Sequence, residues 1–147
     1  MNPPRVWGSR RDERGSAAVE AVVGVPAFVL LILLVIMGGR IALARQAVET
    51  AAADASRVAS LARDAARAES RAIEVAEASL ANQGITCLDT TITMDAAALR
   101  RPPGVPGFVT ATVSCVLELS DLGLPVPSRT LTAMVRSPID TYAERSP

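Results

Sequence analysis

The sequence contains no histidine and no lysine, and only two cysteines, Cys87 and Cys115. Without histidine the commonest general base and metal ligand is missing. Two thiols make neither a four-ligand zinc site nor an iron–sulfur cluster. The many serines and threonines have no imidazole to activate them, and a Ser/Lys pair needs a lysine. The carboxylates Asp89, Asp95, Glu118 and Asp121 read as turn or surface groups, since nothing in their spacing supports an acid/base pair. These absences argue against an enzyme, a metal site or a cofactor. Aromatics are equally scarce, with Trp7, Phe28, Phe108 and Tyr142 the complete set, so stacking platforms for nucleic acid are hard to build. The formal net charge is zero, and no overall field steers the chain toward a polyanion. Nucleic acid is therefore not an expected partner. That every basic side chain is arginine is accounted for by the codon bias of a GC-rich genome.

What is abundant is apolar sequence in one block. Residues 16–39 read SAAVEAVVGVPAFVLLILLVIMGG, with Glu20 the single ionisable side chain. As a helix rising ~1.5 Å per residue the block spans ~36 Å, enough for a bilayer core of ~30 Å. The stretch from Phe28 to Met37 has no polar face, and little else in the chain could cover it as a buried core helix. The expectation is a membrane span, with the lipid bilayer as first partner. Arg5, Arg10, Arg11 and Arg14 precede it, offset by Asp12 and Glu13, whereas Arg40 and Arg45 follow. The denser leading cluster places the N-terminus in the cytoplasm and exports the rest. Pro26 removes one backbone donor inside the span, which membrane helices tolerate. Ala42-Leu43-Ala44 has the small-residue pattern of a signal-peptidase site, which would release a domain from Arg45, but the apolar core is longer than such signals use. Ser9-Arg10-Arg11 lacks the hydrophobic positions that a twin-arginine signal requires next.

At the start of the span a basic leader ends in Gly15, and Glu20 follows five residues later, in the string Arg14-Gly15-Ser16-Ala17-Ala18-Val19-Glu20. That spacing resembles a prepilin processing site, where a membrane peptidase cuts after the glycine. The analogous cut lies between Gly15 and Ser16. It would leave a positive amine on Ser16 at i,i+4 from Glu20, so the two charges could neutralise each other within a subunit or between neighbours. The whole string ERGSAAVEAVVGVPAFVLLILLVI resembles the N-terminal signature of the TadE-like family, minor pseudopilins of the Tad (Flp) tight-adherence pilus system. Where Tad-type pilins often carry an aromatic after the glutamate, this chain has Ala21. The resemblance implies a role in pilus initiation or capping. It also implies prepilin peptidase, other Tad pilins and the pilus assembly platform as partners.

Residues 40–82 contain neither glycine nor proline and are rich in alanine, so one long helix is expected to continue outward from the span. Its apolar stripe runs through Ile41, Ala44, Val48, Ala51, Ala55, Val58, Ala62, Ala65, Ile73, Ala76 and Leu80. Ala47, Ala51, Ala55 and Ala59 form a small-residue ridge that a neighbouring pilin helix could approach, or that composition alone produces. Gln83-Gly84 supplies the stop.

After Gly84 the composition turns β-branched, and three strands are expected over 86–94, 108–117 and 129–136, joined by Pro/Gly-rich loops. Cys87 and Cys115 fall on adjacent strands outside the cytoplasm, where a disulfide is the natural reading and two free thiols the alternative. Cys87 lies out of phase with Thr90 and Ile92, so a bulge, or a strand start at Leu88, is needed. The expected fold is α+β and pilin-like. It comprises a cytoplasmic leader 1–15, a transmembrane helix 16–39, an extracytoplasmic helix 40–83 and a small antiparallel sheet domain 84–147. The expected function is that of a membrane-anchored minor pilin, the alternative being a permanently anchored surface-binding domain that enters no filament.

Overall fold

The computed structural model describes residues 12–120 and 127–141, with side chains from residue 20 onward. The element order is α1 (Asp12–Ser60), α2 (Ala65–Asn82), β1 (Cys87–Asp95), a 3-10 turn (Ala97–Arg100), β2 (Phe108–Leu117) and β3 (Arg129–Pro138). This is an α+β chain with a long apolar N-terminal helix. It divides into two compact units at Gly38/Gly39. Among the described residues the first unit is the leading stretch of α1 alone, and Pro26 lies within that helix without ending it.

The second unit, Gly39–Pro147, has its own core. From Ala44 the α1 sequence exchanges Leu, Ile and Val for alanine and charge. Ala44, Ala47, Val48, Ala51, Ala52, Ala55 and Ala59 are all buried, at the three- and four-residue steps of one helix face. The small-residue ridge is thus occupied within the chain's own fold, which removes it as a contact for a sister helix. Off that face, Arg45 and Glu49 pair at 3.4 Å across one turn.

The single helix expected over 40–82 is instead two. Leu61 and Ala62 donate to Val58 and Ala59, the tightened i−3 bonds of a terminating turn. Asp64 then starts α2 in extended geometry, accepting the Arg67 amide at 2.8 Å as an N-cap. No glycine or proline forces this break; tertiary packing does. Ser79 Oγ donates to Asp54 Oδ2 at 2.9 Å, yet in an unbroken helix these residues would stand ~37 Å apart. Reversal lets Ala68, Ala72, Ala76 and Leu80 join the same core as the α1 alanines. At the far end, Gly84 takes φ +68°. Its amide donates to Ala81 and that of Ile85 to Leu80, the paired bonds of a Schellman cap.

The sheet is an antiparallel meander in the order β1-β2-β3. Its three strands match the expected ones to within two residues at each end. Val109, Ala111, Val113 and Cys115 of β2 and Leu131 and Ala133 of β3 turn inward and are buried, while Ile92 and Met94 of β1 pack partly against the same cluster. On the outer face Ser114 and Thr132, register partners, share a hydrogen bond at 2.9 Å. Helix α2 packs against β1, and Ser137 of β3 hydrogen-bonds Ser60 of α1 at 3.2 Å.

Cys87 and Cys115 form a disulfide with a Cα separation of 5.4 Å. The required bulge is present: pairing shifts between Cys87 and Asp89, so that Cys87 faces Leu117 while Thr90 faces Cys115. The extra residue, Leu88, restores the phase that brings Cys87 to the inward face. The bond joins positions 28 apart in sequence, and by loop-closure entropy stabilises the fold by on the order of 3 to 4 kcal/mol. Replacing both cysteines with serine is expected to lower the unfolding free energy of the detergent-solubilised chain by about that amount, measured by denaturant titration. Gly107 packs more tightly than its turn chemistry alone demands: a Cβ there would meet Ala98 Cβ at 2.7 Å and Ile139 Cδ1 at 3.1 Å. Gly107→Ala is therefore expected to cost about 1–3 kcal/mol, read as a lowered thermal midpoint with the disulfide intact.

Candidate functional site

The chemistry-bearing residues singled out from the sequence lie at the start of α1 and on the sheet. Gly15 and Ser16 belong to the helical backbone of α1, but their side chains, and the leader 1–11 entirely, fall outside the described residues. Glu20 is described and exposed. Beyond it no side chain up to Gly39 is buried: Val22 is 72 % exposed, and Phe28, Leu30 and Leu34 are exposed to similar degrees. An 18-residue window of this helix reaches a mean hydropathy of 2.8 and is not buried at all. A helix that is apolar on every side and covered by nothing is out of place in water. Its length and composition suit it to cross a membrane, which suggests membrane anchoring. Residues 21–39, bounded by Glu20 and Arg40, rise ~28 Å, close to the ~30 Å of a hydrocarbon core. The two charged residues thus stand where the apolar slab ends.

On the helical backbone Ser16 and Glu20 are separated by one turn, the spacing at which side chains on one face meet. The remaining carboxylates with described partners serve the fold. Asp54 ties α2 to α1, Asp64 caps α2, Asp95 accepts the Ala97 amide at 3.1 Å, and Glu118 accepts from Ser120 at 2.7 Å. Both cysteines are joined to each other, and among the described residues no group of three or more histidine, cysteine, aspartate or glutamate side chains is placed to hold a metal. The arrangement offers a hydrophobic anchor with one acid at its edge and a stapled polar domain.

Sequence reasoning missed one feature of the second unit. An open groove of about 750 Å³ is lined by Leu43 and Ala44 of α1, Ile85 and Leu88 around the start of β1, and Leu117 and Leu119 after β2. It brings together three segments that are remote in sequence, and only the unpaired phase at Leu88 hinted at it.

A family model described as TadE-like protein matches residues 15–57, from Gly15 through the buried alanine face of α1. Neither the curated proteins nor the solved structures contain a match. If 21–39 is the anchor, Leu30→Arg at its centre is expected to oppose insertion by about 2.5–3.5 kcal/mol. The measurement is the share of protein that stays in the membrane pellet after alkaline carbonate extraction, which should fall relative to the unchanged chain.

Proposed function

Assignment of the chain to the TadE-like family rests on residues 15–57, and from it we propose that the protein is a membrane-anchored minor pilin that helps to initiate or cap a Tad-type pilus. The likeness to the TadE-like family over that segment supports an association with the Tad pilus. The observation that carries the finer reading is the coincidence, inside the matched segment, of Gly15, Ser16, Glu20 and an uncovered apolar helix.

In this reading the arginines of the leader hold the N-terminus in the cytoplasm, and prepilin peptidase cuts between Gly15 and Ser16. The new Ser16 amine then stands one turn from Glu20. A carboxylate at the edge of hydrocarbon costs on the order of a few kcal/mol when unpaired. A subunit whose amine meets the Glu20 of a neighbour is therefore favoured at the docking position, and the pair sets the register of the assembly. Other Tad pilins and the assembly platform are the partners, and the disulfide-bonded unit is the part displayed outside the cell.

Glu20→Gln keeps the shape and removes the charge. It is expected to leave the amount of protein in the membrane fraction unchanged while lowering its recovery in mechanically sheared surface material at least several-fold. Equal recovery in sheared material would favour an anchored surface domain that enters no filament.

A further inference from the structure

The sheet of the second unit has two outer edges, β1 and β3, and among the described residues neither is paired with a further strand. Alternate residues of an edge strand turn their backbone N–H and C=O groups away from the sheet, a row ready to take another strand. The usual protections of such an edge are thin here. β3 pairs with β2 without a shift along its whole length, and proline enters it only at the last residue, Pro138. The bulge of β1 lies between Cys87 and Asp89, which leaves residues 90–95 regular.

What these edges fit follows from the register. Each residue of β2 from 110 to 115 has one partner on β1 and one on β3, so side chains stand in rows across all three strands. On the outer face one row runs Asp95, Thr110, Arg136, and the next Thr93, Thr112, Met134. On the inner face two rows run Met94, Ala111, Val135 and Ile92, Val113, Ala133. Ala111 and Val113 are fully buried, whereas Ile92, Met94 and Val135 are half-buried where their rows reach an edge. The row of Thr110 ends in an exposed carboxylate on one edge and an exposed guanidinium on the other. Asp95 Oδ1 accepts the Ala97 amide at 3.1 Å, and a guanidinium can take Oδ2.

β1 and β3 both run antiparallel to β2, and therefore run parallel to each other. A second copy displaced sideways by three strand widths, about 14 Å, sets its β1 beside β3 of the first with every row continued. Arg136 then meets Asp95 of the next copy, Val135 meets Met94, and Ala133 meets Ile92. Opposite charges and apolar pairs directly across a strand pair are the contacts that stabilise sheets. A slip of two residues keeps the faces but loses the ion pair.

We propose that the second unit associates with further copies of this chain by parallel addition of β1 to β3, residues 90–95 lying against 131–136. Backbone hydrogen bonds supply the attachment, and the Arg136 to Asp95 pair fixes the register. The contact is heterologous, so each added copy presents a fresh edge and all copies point the same way. The proposal concerns Gly39–Pro147 alone and does not rest on the pilus reading.

The test is cysteine cross-linking in cells producing the full-length chain with Thr93→Cys and Met134→Cys together. Within one copy these positions flank β2, with Cα atoms about 9–10 Å apart, beyond the ~7 Å that a disulfide can bridge. Between copies they become neighbours at about 5 Å. After mild oxidation a non-reducing gel is expected to show a ladder of dimers, trimers and larger multiples, while each single variant stays monomeric. Arg136→Asp in the same background is expected to lower the cross-linked share about fivefold. Adding Asp95→Arg is expected to restore it, which a mere loss of folding would not allow. Monomer alone from the double-cysteine chain, or a ladder indifferent to both charge changes, would overturn the proposal. So would dimers from either single-cysteine variant, because they would set like edge against like edge.

Discussion

Between residues 21 and 39 α1 has no polar side, and among the described residues none of its side chains is buried. Everything else in the structure is arranged around that constraint. Charged residues appear only where the apolar run stops, Glu20 before it and Arg40 after it. The same helix then changes character from Ala44 onward: its apolar face narrows to a stripe of alanine, and its other faces carry Arg45, Glu49 and Arg57. The boundary between compact units falls at the glycine pair Gly38 and Gly39.

A core built from alanine gains little from bulk, because each methyl buries little apolar area. It gains from close approach: α1, α2 and the inner face of the sheet share one cluster in which most members are alanine or valine. Such a core leaves a small sheet in need of a further tie, and the Cys87–Cys115 bond supplies it across β1 and β2. Disulfides persist in oxidising compartments. The bulge that makes the bond possible also leaves Leu88 exposed, so one local irregularity accounts for both the staple and the apolar lip of the groove.

Much of this was legible in the sequence because the signals were local. The apolar block, the Gly84 cap, the three β-branched runs and the cysteine phase each fix backbone behaviour within a few residues. The break at 61–64 was not legible by the same means. Alanine-rich sequence prefers to continue as a helix, and only the Asp54–Ser79 bond and the shared alanine core, both long-range, favour reversal. Asp64 was the available clue, a capping residue in the middle of an apparently unbroken helix. The partner of the alanine ridge was not legible for the same reason: small residues at steps of four mark close packing, but not whether the partner is the chain itself or another subunit. The groove is assembled from three distant segments and had no signature of its own beyond the odd phase of Leu88.

The central claim is that α1 from Ser16 onward is retained as a membrane anchor after removal of a basic leader. N-terminal sequencing of the native protein recovered from membranes tests it most directly. The account predicts a single start at Ser16. A start at Arg45, which would discard the anchor, or an intact Met1 would contradict it.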